Sequence, residues 1–88
     1  MYAYEEKHLF TNLKIIITMK ALHTSILDTL ANYLEFNTAV EIAFEIIDAA
    51  CDALYTTDHM LGDLVDYISD HYDIADAEDI AKEVIVNL

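Results

Sequence analysis

The sequence predicts an all-α protein, a compact bundle of four to five short helices that forms a single helical domain over residues 1–88. The chain has no proline and one glycine, Gly62. Because β-hairpin folds depend on these residues for their turns, their scarcity favours helices joined by short polar links. Apolar residues make up 56% of the chain, which argues against disorder and provides material for a core.

The first two predicted helices cover residues 4–23 and residues 25–37. Apolar side chains recur at helical spacing in the first, at Leu9, Phe10, Leu13, Ile16 and Ile17. Its β-branched run over residues 15–18 leaves a short strand over residues 13–19 as the alternative. Ser25 with Asp28 resembles a capping box and is predicted to start the second helix, which should end near Asn37.

A predicted helix over residues 38–57 is the centre of the bundle. Thr38 and Glu41 form a capping box at its start. Thr57 or Asp58 is expected to cap the helix that follows. Most other positions in this stretch are apolar, so the helix should be buried on most sides and expose one acidic line. Cys51 falls among these apolar positions and is expected in the core.

Two further helices are predicted over residues 59–72 and from about Asp76 to the end of the chain. Helical spacing assigns their inward faces to Leu61, Leu64, Val65 and Ile68, and to Ile80, Val84, Ile85 and Leu88. Tyr67 and Tyr72 flank the acids of the first of these helices and could join a binding surface. Tyr33 and Tyr55 are expected at the edge of the core.

Acidic residues form a row along each of the last three predicted helices. The rows are Glu41, Glu45, Asp48 and Asp52; Asp63, Asp66, Asp70 and Asp73; and Asp76, Asp79 and Glu83. Steps of three and four residues place each row on one helix face, with a carboxylate every ~5.5 Å in the first row. One DNA strand carries a charge every ~3.4 Å, so two or three parallel rows approach its charge density.

The charge balance limits the partners of this protein. It has 17 acidic residues against four lysines, giving a net charge of −13. Direct nucleic-acid binding and binding to an anionic membrane both require basic side chains, so a basic protein surface is the expected partner. A lone cysteine, a polar N-terminal stretch and the lack of a ~20-residue apolar run predict a cytoplasmic protein, in the host cytoplasm if it is viral.

In size, charge, helicity and acidic rows, the chain resembles the small phage-encoded DNA mimics that block restriction or CRISPR nucleases, although it shares no motif with them. The resemblance implies a non-enzymatic inhibitor whose row acids occupy the basic groove of a nucleic-acid-binding protein or nuclease. The alternative is a protein-interaction module, such as an antitoxin, immunity protein or adaptor, that binds one basic protein. A homodimer would bury the apolar helix 38–57, and a monomer with that helix as its core is the other option.

No catalytic, cofactor-binding or metal-binding residues are predicted. His59 and Asp63 lie four residues apart, but so few ligands of mixed type do not make a metal site. Cys51 has no neighbouring base in the sequence, which argues against a nucleophile. An acyl carrier protein is excluded because the stretch from Gly62 to Leu64 lacks the serine of the carrier motif.

Overall fold

A computed structural model describes residues 19–88, which form four α-helices and no strand. Helix α1 occupies residues 19–30, α2 spans Phe36–Ala50, α3 spans Thr57–Ile68 and α4 spans Ile74–Val86. The prediction of an all-α bundle of short helices is therefore confirmed. The choice between helix and strand before residue 19 lies outside the described residues. None of the described helices is long and apolar enough to cross a membrane.

The core is formed by one apolar face from each helix. Its buried members are Ile26 and Leu30 of α1; Ala39, Ile42, Ala43 and Ile46 of α2; Met60, Leu64 and Ile68 of α3; and Ala77, Ile80, Ala81 and Val84 of α4. Helix α3 packs against both α2 and α4, most extensively against α4. Three- and four-residue spacing accounts for these faces, because it keeps side chains on one side of a helix.

The expectation that the third predicted helix is buried on most sides is wrong. Helix α2 buries a single stripe, while its Phe44 is 63% exposed. Alanines at 39 and 43 provide half of that stripe and allow a close approach to the neighbouring helices. Because only this narrow stripe is buried, part of the apolar surface of α2 still faces outward.

The predicted starts at Ser25 and Thr38 are both wrong. Helix α1 passes through Ser25, whose carbonyl accepts a hydrogen bond from Thr29 Oγ1 at 3.3 Å. Helix α2 begins at Phe36, after an N-cap residue, Glu35, whose side chain makes no capping bond. A cap contributes only about 1 kcal/mol. A signal of this size at Thr38 does not fix the start of α2, which lies two residues earlier.

Helix α2 ends at Ala50, seven residues before the predicted end at residue 57. Thr56, and not Thr57 or Asp58, caps α3: its Oγ1 accepts from His59 N at 3.3 Å. His59 Nδ1 in turn accepts from Thr56 N at 3.1 Å. An imidazole thus takes the place that glutamate usually holds in a capping box.

Two other predicted boundaries and one predicted burial are also corrected. Helix α3 ends at Ile68, before the predicted residue 72, and α4 begins at Ile74, before Asp76. Asp73 caps α4, because its Oδ1 accepts from Asp76 N at 2.9 Å. Cys51 is exposed, contrary to its expected place in the core, since α2 stops at the residue before it.

Candidate functional site

The acids predicted as a binding surface are accessible. Of the eleven, only Asp63 is half-buried, and the other ten are exposed: Glu41, Glu45, Asp48, Asp52, Asp66, Asp70, Asp73, Asp76, Asp79 and Glu83. The structure shortens two of the three rows, because α2 and α3 end earlier than the sequence predicted.

The first row keeps three acids on one helix. Glu41, Glu45 and Asp48 lie on α2 and span about 10.5 Å at ~1.5 Å per residue. Asp52 lies beyond the helix end, where its Oδ1 accepts from Leu54 N at 2.9 Å. The predicted four-acid line along a single helix is therefore wrong, and Asp52 instead shapes the turn into α3.

The second row is broken. Only Asp63 and Asp66 lie on α3, while Asp70 lies in the turn after it and Asp73 caps the next helix. Asp63 Oδ2 accepts a hydrogen bond from the Tyr55 hydroxyl at 2.8 Å. The carboxylate of Asp63 thus holds the α2–α3 connection against α3 and is less available to a partner than its neighbours are.

All three acids of the third row lie on one helix, as predicted, and two tyrosines lie beside them. Asp76, Asp79 and Glu83 lie on α4 and line a shallow cavity of about 320 Å³ together with Tyr33 and Tyr72. We name these five residues the α4 acidic face. The Tyr72 hydroxyl donates to the Tyr33 carbonyl, which ties the α1–α2 turn to the α3–α4 turn. The neighbouring Glu83 carboxylate raises the pKa of Tyr33 above its usual value.

Acids of α2 and α3 act on the same tyrosine, Tyr67. Burial raises the pKa of the Tyr67 hydroxyl, and the negative charges of Glu45, Asp63 and Asp66 raise it further. These charges act on one hydroxyl because the two helices pack together. The sequence rows described each helix separately and did not reveal that two rows converge at this tyrosine.

A second convergence lies between α3 and α4. Asp58 and Asp66 of α3 and Glu78 and Lys82 of α4 line a groove of about 540 Å³. Asp58 and Glu78 were not among the predicted contact residues. Both are exposed acids at helical positions, but only the packing of the two helices places them beside Asp66.

Tyr55 links the start of α3 to the core edge, as its sequence position suggested. It is half-buried and packs against the core, and its ring stacks on the His59 ring with centroids 5.8 Å apart. Burial raises the pKa of Tyr55 well above its usual value, and the hydrogen bond to Asp63 acts in the same direction. Its hydroxyl therefore remains a donor at neutral pH.

An apolar groove between α1 and α2 was missed by the sequence reasoning. Met19, Lys20, His23 and Thr24 form one wall of this α1–α2 groove, and Phe44, Ile47 and Cys51 form the other, around about 540 Å³. The His23 ring meets Phe44 edge-on at 5.3 Å between centroids. His23 Nε2 is shielded from solvent and has no hydrogen-bond partner among the described residues.

Metal chemistry finds no support in the part of the chain that the structure describes. No group of three or more His, Cys, Asp or Glu side chains there is arranged to hold a metal ion. His59 acts as a helix cap, and its neighbour Asp63 binds Tyr55. What the described surface offers chemically is an array of carboxylates on a helical scaffold. No protein-family model, curated protein or solved structure matches the chain.

Proposed function

We propose that this protein is a non-enzymatic inhibitor that mimics nucleic acid and occupies the basic groove of a nucleic-acid-binding protein or nuclease, in the manner of phage anti-restriction and anti-CRISPR proteins. Its place of action would be the cytoplasm, of a host cell if the protein is viral. The observation that carries the proposal is the exposure of ten of the eleven row acids on and between three consecutive helices.

The arrangement of the charges supports mimicry more than their number does. Within α2 the acids recur about every 5.3 Å, and packed helices lie ~8–10 Å apart. Where α2 meets α3, Glu45 joins Asp63 and Asp66, and where α3 meets α4, Asp58 and Glu78 join Asp66. Acids from neighbouring helices thus share two junctions, the second of which is also lined by Lys82, so the negative charge is not confined to separate single rows.

The scaffold supports the same reading, since most of these acids are held on helices. The α4 row lies on a helix that is capped by Asp73 and anchored through Ile80 and Val84, which are buried. A partner that binds an already ordered array does not bear the entropic cost of ordering a flexible chain. A basic groove shaped for a stiff polyanion would accept such a body.

The second candidate function is an interaction module that recognises one basic protein through apolar anchors. The exposed Tyr33 on the α4 acidic face favours it, because tyrosine is common at binding hot spots. The two functions differ in how binding energy is distributed. A mimic spreads it over many acids and loses affinity steeply with salt, whereas a module depends on a few anchors and tolerates salt.

The decisive experiment is capture from a nuclease-treated lysate on the immobilised protein, followed by elution with rising salt. We expect nucleic-acid-binding proteins to elute at moderate salt. The purified target should then lose its own nucleic-acid binding in competition with this protein. Capture of a single salt-resistant protein that has no nucleic-acid groove would contradict mimicry and establish the interaction module instead.

A further inference from the structure

The α1–α2 groove differs in charge from the rest of the described surface. None of the described residues that line it is acidic, although it carries Lys20 on its α1 wall. Its α2 wall presents Phe44, which is 63% exposed. Lys82, the other lysine among the described residues, lies instead in a groove with three acids. The α1–α2 groove is therefore a place where a highly acidic body can approach without meeting a wall of like charge.

We propose that the α1–α2 groove is the docking surface for a second copy of this chain. A twofold dimer uses the same patch on both copies, so that patch must be complementary to itself. Asp48 lies four residues after Phe44 and three before Cys51, which places it on the same face of α2 as the groove wall. The patch thus contains a base, an acid and an exposed aromatic ring.

In this arrangement Lys20 of each copy faces Asp48 of the other, and the two Phe44 rings are buried at the centre. The α4 acidic face takes no part in the contact and stays open to a target. Asp48 belongs both to this contact and to the α2 acid row, so Phe44 and Lys20, which are in no acid row, separate the dimer from the proposed inhibitory function. A target-binding defect with normal self-association would affect that function alone, and the reverse defect would affect the dimer alone.

Light scattering on the purified full chain tests the dimer. At micromolar concentrations we expect a mass twice that of the 10.0 kDa chain. Phe44→Glu should weaken self-association by about thirtyfold, as expected for loss of a hot-spot aromatic residue. Phe36→Glu is a matched control, since Phe36 is 64% exposed on the same helix but lies outside the groove. Circular dichroism checks that both variants keep their helices.

A charge exchange tests the pairing across the interface. Lys20→Asp and Asp48→Lys should each weaken self-association, because each places like charges opposite one another. The double variant restores opposite charges at an unchanged net charge and should recover the dimer. A wild-type mass equal to one chain would overturn the proposal, including the case in which another part of the same chain covers the groove. The proposal would also be overturned if the two phenylalanine variants had equal effects on self-association, or if the double variant associated no better than the single variants.

Discussion

The α4 acidic face and the α1–α2 groove of this small protein differ in charge and in polarity. The first carries three exposed carboxylates beside two tyrosines, and the second is apolar with a lysine at its wall. Electrostatic association weakens as salt screens the charges, whereas association of two acidic bodies through an apolar patch strengthens as salt screens their repulsion. The two proposed contacts would therefore occupy separate parts of a chain whose net charge is −13.

Removing the packing that both regions share should have the largest effect. Leu64 is fully buried on α3, which packs against α2 and α4. Leu64→Ala should lower the free energy of unfolding by about 2–5 kcal/mol, measured by denaturant titration. Leu54→Ala is the matched control, because Leu54 is 80% exposed and should change stability by less than about 0.5 kcal/mol. Equal losses for the two variants would contradict the assignment of the core.

Neutralising the acids of the α4 acidic face tests whether their charge contributes to target binding and not to self-association. The combined variant Asp76→Asn, Asp79→Asn and Glu83→Gln should weaken target binding by roughly 10- to 100-fold and flatten its salt dependence. It should leave self-association intact, as light scattering would show.

The matched control for that variant neutralises the two α2 row acids that lie outside the proposed dimer pairing, with Glu41→Gln and Glu45→Gln. Mimicry predicts a similar loss of target affinity per neutralised acid from either variant, because the binding energy is spread over both rows. Loss confined to one of the two variants, with no salt dependence in the wild type, would favour the interaction module.

Removing the cap of α4 should have a smaller effect, and it acts at the start of the helix that carries Asp76, Asp79 and Glu83. Asp73→Ala removes the acceptor for Asp76 N and should cost about 1 kcal/mol in unfolding free energy. Asp73→Asn keeps an acceptor and should retain most of that stability. Asp70→Ala is the control in the same exposed turn. If Asp73→Ala and Asp70→Ala unfold at the same denaturant concentration, the cap contributes nothing to α4.

Alkaline pH should destabilise the fold through Tyr55. Its folded-state pKa is raised above the usual 10.0, so the folded protein holds the proton more tightly than the unfolded chain does. The resulting stabilisation is complete below about pH 10 and is lost as pH rises further. Tyr55→Phe keeps the ring and removes the ionisation, so its unfolding free energy should fall less steeply in this range. Parallel pH profiles for the two proteins would contradict this role.

Helical periodicity predicted the buried faces of α3 and α4, apart from Leu88, which is 45% exposed, but it predicted the helix ends poorly. Leu64 and Ile68 of α3, and Ile80 and Val84 of α4, recur at the four-residue spacing that defines a buried face, and burial of such a face is the largest energy in each helix. Helix ends depend on terms of about 1 kcal/mol, and the capping signal of Thr38 did not mark the start of α2. The capping role of His59 follows from the contact of its ring with Thr56, which no standard capping pattern indicates.

The candidate site was predicted in composition but not in arrangement. The acids of α4 form the expected row because that helix contains all three of them. Asp52 and Asp70 do not belong to the predicted rows, because α2 and α3 end before these residues. The convergence of Glu45 with Asp63, and the groove beside Phe44, depend on how separate helices pack. A one-dimensional spacing rule contains no information about those distances.

The exposure of Cys51 affects how the mass of this protein is interpreted. As the only cysteine in the chain, it has no internal partner, so any disulfide that it forms must join two chains. Because the thiol lies in the α1–α2 groove, oxidation in air would create a covalent pair at the surface where a second copy is proposed to dock. A dimer that is measured while the thiol is reduced must be held by non-covalent packing. A dimer that is measured after oxidation can be held by a disulfide between the two chains.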